Sequence, residues 1–217
     1  MSKYKLALFD MDGTILDTLE DLTDATNVMM EKYGYPTHSI DAVRTFVGNG
    51  LRKLVERALP AGTDDAKIDT VLGDFKVYYA DHCADKTHPY DGVREMIARL
   101  RTKGIITAVV SNKVDEGVQE LVKEYFPGLF DLAVGERPSV KPKPAPDMVF
   151  AALETLGIDI RDTVFIGDSD VDLKTAQNAG IDGIFVDWGF RTPEVLRSLG
   201  AKIVVSTPEE VEALILQ

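Results

Sequence analysis

Cysteine is almost absent from this chain of 217 residues, which has a single one, Cys83. One thiol cannot form a disulfide within the chain, so a reducing compartment is favoured. Long hydrophobic runs are absent as well. No stretch approaches the roughly 18 uninterrupted apolar residues of a membrane-spanning helix, and the first apolar run, residues 6–9, is too short for a signal peptide. These features predict a cytoplasmic protein with no membrane partner.

Basic residues are scarce relative to acidic ones. The chain has 24 Lys and Arg residues against 36 Asp and Glu residues, which gives a formal net charge of -12. Such a chain is a poor candidate for binding nucleic acid, whose phosphates require a positively charged surface. Among the acidic residues, 23 are Asp and only 13 are Glu. An Asp-rich protein prompts a search for a metal site.

The pattern of apolar residues predicts an α/β fold. Leu6–Phe9 reads as a buried strand, and short apolar runs alternate with helical patterns from Pro89 onward. This alternation predicts a doubly wound (Rossmann-like) parallel sheet. Between the first strand and the rest, about 70 residues show only helical patterns. We therefore expect a catalytic core of residues 1–16 and 85–217, with an all-helical cap, residues 17–84, inserted after the first strand.

Polar residues that could bind a metal or take part in catalysis follow three predicted strands. The segments are Asp10-Met11-Asp12-Gly13-Thr14, Ser111-Asn112, and Gly167-Asp168-Ser169-Asp170-Val171-Asp172. In an open parallel sheet, ligands bind beyond the carboxyl ends of the strands, so these segments should converge. A fourth segment, Lys141-Pro142-Lys143-Pro144-Ala145-Pro146, precedes a predicted helix.

Clustered carboxylates repel one another and need a cation at neutral pH. Oxygen ligands without His or Cys suit Mg²⁺, which proteins often hold together with substrate phosphates. A carboxylate can also attack phosphorus as a nucleophile, and a second acid can protonate the leaving oxygen. Hydroxyl groups and a lysine can hold the phosphoryl oxygens. The combination favours phosphoryl transfer.

The same residues carry a resemblance to a known family. Asp10-Met11-Asp12-Gly13-Thr14, Ser111, Lys141, and Gly167-Asp168 with Asp172 match, in order, the four motifs of the haloacid dehalogenase superfamily. The second Asp of the first motif is typical of the phosphatase branch of this superfamily. Within that branch, the whole chain resembles the phosphoglycolate phosphatases and their neighbours. The resemblance implies Mg²⁺-dependent hydrolysis of a small phosphorylated metabolite, with glycolate 2-phosphate as the first candidate.

The resemblance also implies a role for each matching residue. Asp10 would be the nucleophile and a Mg²⁺ ligand, and Asp12 would be the general acid/base that also offers its backbone carbonyl to the metal. Asp168 would be a further metal ligand. Asp172 would act behind the ligands, on metal-bound water or on the lysine. Ser111, with Asn112 beside it, would bind the phosphoryl group.

The resemblance leaves the identity of the catalytic lysine and the roles of the cap residues less closely defined. Position in the motif favours Lys141 as the lysine that steadies nucleophile and phosphate, with Lys143 as the alternative. The loop Gly48-Asn49-Gly50 in the cap would face the substrate. No role is assigned to Asp170, Arg44 or Arg52, although either arginine could pair with a substrate carboxylate.

Three other functions remain open at this point. A phosphomutase of the β-phosphoglucomutase kind would return the phosphoryl group to a sugar instead of to water. A pyrophosphatase of the same branch would use the same residues. A receiver-type signalling module also places an Asp, Mg²⁺, a Ser or Thr and a Lys on a doubly wound sheet, although it has no need of the helical insertion.

Overall fold

The first strand, β1 (Leu6–Phe9), consists of four apolar residues that are completely buried. A computed structural model of the protein describes residues 3–217. It places β1 in the interior of a six-stranded sheet whose strand order is β5-β4-β1-β6-β7-β8. The neighbours of β1 are β4 (Ile106–Val114) and β6 (Thr163–Gly167). The other strands are β5 (Leu132–Glu136), β7 (Asp182–Val186) and β8 (Val204–Val205).

All strand pairs described in this sheet are parallel. The helices of this part of the chain are α5 (Val93–Thr102), α6 (Asp115–Tyr125), α7 (Asp147–Leu156), α8 (Asp170–Ala179), α9 (Pro193–Ser198) and α10 (Pro208–Leu216), and a 3₁₀ turn spans Ile160–Asp162. The predicted fold class, an α/β protein with a parallel sheet, is confirmed.

Alternation along β1 sends its side chains to opposite faces of the sheet. Leu6 and Leu8 belong to a buried cluster that includes Ala152 of α7 and Leu173 of α8. Phe9 contacts the ring of Phe130, edge to face, at 6.1 Å between centroids. Apolar packing on both faces explains why the strand reads as a continuous apolar run.

The chain divides into two compact units. One comprises the chain up to Leu16 together with Pro89–Gln217, and the other is Asp17–His88. The second unit contains α1 (Leu19–Lys32), α2 (Ile40–Phe46), α3 (Leu51–Ala58) and α4 (Asp65–His82). Two short strands, β2 (Leu16–Asp17) and β3 (His88–Pro89), pair where the chain passes between the units.

The boundary after His88 lies four residues beyond the one expected from the sequence, Ala84. The reason is a buried carboxylate in α1. Asp21 accepts hydrogen bonds from the backbone N–H groups of Lys86 and Thr87, at 3.0 Å and 2.8 Å. These bonds tie Lys86 and Thr87 to the helical unit.

Among residues 3–217, no helix is long and apolar enough to cross a membrane.

Candidate active site

The register of the sheet brings three polar strand ends to one edge. Phe9 lies opposite Val109 on one neighbouring strand and opposite Ile166 on the other. Asp10 therefore leaves the sheet beside Ser111 and Asp168, each two residues beyond those partners. Strand β4 continues through Ser111 to Val114, so Ser111 and Asn112 lie in the strand rather than in the loop after it. Ser111 is 2 % exposed.

A buried lysine joins two of the acidic segments. The Nζ atom of Lys143 lies 2.8 Å from Asp10 Oδ1 and 2.7 Å from Asp172 Oδ1. The lysine side chain is 1 % exposed, and its ammonium also lies 5.3 Å from the ring centroid of Phe165. Such a buried ammonium is stable only when anionic groups surround it. Asp10 and Asp172 supply that charge, and they raise the pKa of Lys143 against the opposing effect of burial.

The prediction that Lys141 lies in this cluster is wrong. Lys141 is exposed, and Lys143 occupies the position that was expected for it. Both lysines precede a proline, so both have the same bias toward extended backbone. The proline that follows each lysine therefore does not separate them. What selects Lys143 is a contact from strand β4: Asn112 Oδ1 accepts from Lys143 N at 2.8 Å, and Asn112 Nδ2 donates to Lys143 O at 2.9 Å. The side chain predicted to bind substrate thus holds the lysine.

Asp168 is completely buried and is held on both carboxylate oxygens. Its Oδ1 accepts from the Thr14 hydroxyl at 2.9 Å, and its Oδ2 accepts from the backbone N–H of Phe190 at 2.8 Å. Gly13 passes close to this carboxylate with a φ of 86°, and a Cβ atom there would lie 2.5 Å from Asp168 Oδ2. Trp188 Nε1 donates to the backbone oxygen of Thr14 at 3.1 Å. Thr14 and the segment after β7 therefore fix the orientation of Asp168.

Asp172 belongs to the start of α8 as well as to the cluster. Its Oδ2 accepts from Ser169 Oγ at 2.6 Å and from the backbone N–H of Ser169 at 3.1 Å. Ser169 Oγ in turn accepts from Asp172 N, which completes a capping box. With Oδ1 on Lys143 and Oδ2 on the helix start, Asp172 is suited to hold the lysine in place.

Negative charge is crowded where these residues meet. One ligand oxygen from each of Asp10, Asp168 and Asp172 lies within 4.8 Å of the others. Burial and the neighbouring Asp172 raise the pKa of Asp10 well above its usual range, against the lowering effect of Lys143. Burial and Asp172 likewise raise the pKa of Asp168 to about 7. This all-oxygen set carries more negative charge than Lys143 compensates, and it therefore fits a hard divalent cation.

Asp12 lies near a second buried lysine that sequence reasoning did not single out. Lys113 Nζ is 3.3 Å from Asp12 Oδ1, and the lysine side chain is 6 % exposed. Its backbone N–H donates to Ser111 Oγ at 3.2 Å. The predicted acid/base residue and the predicted phosphoryl-binding serine are thus both in contact with Lys113.

The remaining candidates lie outside this cluster. Gly48-Asn49-Gly50 belongs to the helical unit, where the Arg57 guanidinium donates to Asn49 Oδ1 at 2.7 Å and to Phe46 O at 2.6 Å. Exposed Arg52 forms ion pairs with Asp65 and Asp69 at 2.7 Å and 3.2 Å, and Arg44 is half-buried in α2. In the α/β unit, Asp170 pairs with Arg191 at 3.3 Å.

Residues 7–186 match the family model of the haloacid dehalogenase-like hydrolases. The chain belongs to this family. The matched span includes Asp10, the helical insertion and the segment around Asp168, so it covers the acidic cluster and the insertion together. The resemblance seen in the four motifs is confirmed.

Relatives by sequence include two phosphatases. The chain is 32 % identical to the N-acetylmuramic acid 6-phosphate phosphatase of Pseudomonas aeruginosa, across 96 % of this chain and 93 % of that protein. It is 33 % identical to the phosphoglycolate phosphatase of Caulobacter vibrioides, across 91 % of this chain and 84 % of that protein. The predicted enzyme class, a phosphatase, is confirmed, and a receiver-type signalling module is excluded.

A crystal structure from Lactobacillus delbrueckii subsp. bulgaricus is similar over 99 % of both chains, with a TM-score of 0.96 and 42 % identity. That protein carries a provisional assignment as a phosphoglycolate phosphatase. A second crystal structure, of a predicted phosphatase from Clostridium acetobutylicum, has a TM-score of 0.89 and 24 % identity. This likeness concerns the fold alone.

Proposed function

We propose that this phosphatase hydrolyses a small phosphate monoester with Mg²⁺, through a phosphoryl group carried on Asp10. The observation that carries the proposal is the position of Lys143 between Asp10 and Asp172, with Asp168 in the same buried cluster. A single ammonium cannot balance three carboxylates. The remaining negative charge suits a divalent cation, and the two cations together would attract a phosphate ester.

The first half of the reaction transfers the phosphoryl group to the enzyme. A carboxylate oxygen of Asp10 forms a bond to phosphorus, and the bond from phosphorus to the alcohol oxygen breaks. Asp12 gives its proton to that oxygen, and the neutral alcohol leaves. Ser111 and Lys143 hold the phosphoryl oxygens as negative charge develops on them. Lys143 also keeps Asp10 oriented for attack through their 2.8 Å contact.

The second half releases phosphate. Asp12, now a carboxylate, takes a proton from water as the water oxygen bonds to phosphorus. The bond between phosphorus and Asp10 breaks, inorganic phosphate leaves, and both aspartates return to their starting forms. The carboxylates of Asp10 and Asp168, with the backbone carbonyl of Asp12, would hold Mg²⁺, which supplies a positive charge next to the transferring group.

The chemistry is tested with an Asp10→Asn variant. We expect no measurable phosphate release from this variant, because an amide cannot form the phosphoryl ester, while its circular dichroism stays normal. Acid-quenched wild-type enzyme should show the added mass of one phosphoryl group during turnover, and Asp10→Asn should not. Turnover near the wild-type rate with Asp10→Asn would exclude Asp10 as the nucleophile.

Glycolate 2-phosphate is the substrate we propose first. Its support is the set of phosphoglycolate phosphatases among the relatives and the likeness to the Lactobacillus delbrueckii structure. N-acetylmuramic acid 6-phosphate is the second candidate, because the relative that acts on it matches over 96 % of this chain, including the helical unit.

A comparison of kcat/KM separates these substrates. The panel consists of glycolate 2-phosphate, N-acetylmuramic acid 6-phosphate, β-glucose 1-phosphate and inorganic pyrophosphate, each with Mg²⁺. We expect the highest value for glycolate 2-phosphate and free phosphate as the product. Formation of glucose 6-phosphate from β-glucose 1-phosphate would instead identify a phosphomutase, and a preference for pyrophosphate would identify a pyrophosphatase.

A further inference from the structure

Two buried lysines contact different acidic residues of the site. Lys143 contacts Asp10 and Asp172, whereas Lys113 lies 3.3 Å from Asp12. The two lysines come from different segments, since Lys113 is in β4 and Lys143 precedes α7. They are about equally hidden, with 7 % and 4 % of their surfaces exposed. A second buried ammonium beside the acid/base residue is not needed to hold the nucleophile, so it requires its own explanation.

The position of the Lys113 ammonium is determined by the packing of its side chain. A Cβ atom added at Gly117, in α6, would lie 3.7 to 3.9 Å from the Cε, Cδ and Cγ atoms of Lys113. The alkyl chain therefore runs along the start of this helix, as lysine chains do when they follow apolar surface. At its other end, the backbone N–H of Lys113 bonds to Ser111 Oγ. The side chain is thus directed from the phosphoryl-binding strand to Asp12.

Asp12 itself is less constrained than the other acids of the site. Its side chain is 23 % exposed, against 12 % for Asp10 and none for Asp172. A carboxylate that exchanges a proton with both leaving group and water must keep access to them, yet it must not rotate away. A charged partner at 3.3 Å limits that rotation without covering the carboxylate.

We propose that Lys113 is a positioning residue, which holds the carboxyl group of Asp12 where its protonated form gives a proton to the leaving alcohol. The inference rests on the proposed role of Asp12 as the acid/base. It predicts a loss that depends on the leaving group. A poor leaving group needs the proton from Asp12 in order to depart, whereas a good leaving group departs without it.

The test compares phenyl phosphate with p-nitrophenyl phosphate in a Lys113→Met variant with Mg²⁺. The esters are similar in size, and p-nitrophenolate is the better leaving group. We expect kcat/KM for phenyl phosphate to fall roughly 30-fold and that for p-nitrophenyl phosphate to fall only about 3-fold. Lys113→Arg should recover part of the activity lost toward phenyl phosphate. Lys123→Met, a change at an exposed lysine of α6, should leave both values unchanged.

A double-mutant cycle completes the test. Asp12→Asn should show the same dependence on the leaving group, and adding Lys113→Met to it should cause little further loss, since the two residues act through one interaction. Equal losses for both esters in Lys113→Met would overturn the proposal, and so would full additivity with Asp12→Asn. Failure of the proposed function is seen separately, as turnover of both esters by Asp10→Asn.

Discussion

The side-chain amide of Asn112 bonds to the backbone of Lys143 on both of its polar groups, at 2.8 Å to the N–H and 2.9 Å to the carbonyl oxygen. The two residues are 31 positions apart and belong to a strand and to the segment before α7. These bonds hold the backbone from which the lysine ammonium extends. The effect of Asn112 on catalysis should therefore be one of geometry.

Asn112→Ala should lower kcat roughly 10- to 100-fold, because a small displacement of Lys143 is costly to an aligned reaction. The loss of two hydrogen bonds should also lower the free energy of unfolding by about 1–3 kcal/mol. Steady-state kinetics and denaturant unfolding measure the two effects. The matched control is Asn178→Ala, which removes one exposed hydrogen bond to Pro144 O and should change kcat less. Near-normal kcat in Asn112→Ala would contradict the role assigned here.

Lys143→Met and Lys141→Met should differ sharply. Removing the Lys143 ammonium leaves Asp10 and Asp172 without their shared counter-charge, so kcat should fall roughly 100-fold or more and stability by about 3–5 kcal/mol. The exposed Lys141 should tolerate the same change within about 0.5 kcal/mol and with unchanged kcat. Phosphate release and thermal unfolding of both variants decide the matter. A larger loss of activity at Lys141 would restore the assignment made from the motif.

Mg²⁺ should stabilise the protein and alter its tryptophan fluorescence. At a concentration of 100 times the dissociation constant, the ion should add about 2.7 kcal/mol, which corresponds to a rise in Tm of about 5–10 °C. Trp188 is the only tryptophan, and its Nε1 bonds to Thr14, whose hydroxyl bonds to Asp168. Its emission should follow the titration. Asp168→Asn should remove both responses, and a full response in that variant would place the ion elsewhere.

The stabilisation by Mg²⁺ should depend on pH. Asp168 has a pKa of about 7 in the folded protein, raised above the value of about 3.9 of an unfolded chain. Without the ion, the folded state binds the extra proton, so stability falls as pH rises from about 4 to 7. Mg²⁺ requires the deprotonated carboxylate and competes with that proton. The rise in Tm on adding Mg²⁺ should therefore be larger at pH 8 than at pH 5.5, and an equal rise at both would contradict this linkage.

Arg57 offers a test of the cap loop. Its guanidinium holds Asn49 and Phe46, on either side of Gly48, so Arg57→Met should loosen the loop. If Gly48-Asn49-Gly50 contributes to substrate binding, KM for glycolate 2-phosphate should rise about threefold or more, with Tm almost unchanged. Arg52→Met, at an exposed arginine paired with Asp65 and Asp69, is the control and should leave KM as it is. An unchanged KM in Arg57→Met would remove the loop from the binding site.

Much of the acidic cluster could be predicted because it depends on strand ends. The apolar run Leu6–Phe9 indicates a buried strand, and the parallel arrangement then brings the residues after each strand to one edge. Asp10, Ser111 and Asp168 follow from this reasoning without knowledge of any distance. The end of β4 was not predictable in this way. Ser111 and Asn112 were expected to follow a strand because a polar Ser-Asn-Lys segment is typical of a loop, whereas β4 continues through them to Val114.

The lysines could not be assigned in the same way. Lys141 and Lys143 have the same local surroundings, and the difference between them is a pair of hydrogen bonds from Asn112, far away in the sequence. Lys113 is a charged residue in a polar segment, and the sequence therefore favours a position on the surface. Its burial arises from the approach of α6 and Asp12, and neither is visible in the residues next to it.

The interior position of β1 affects the order in which the protein can form during synthesis. Its partners begin at Ile106 and Thr163, so β1 cannot be paired on both edges until the chain has been made as far as Thr163. At about 5–20 residues per second, that delay is roughly 8–30 seconds. The helical unit, Asp17–His88, forms many contacts of its own, so it can begin to fold within that interval. During that interval the nascent chain carries β1 as an apolar segment without its partner strands, and unpaired strand edges of this kind favour aggregation.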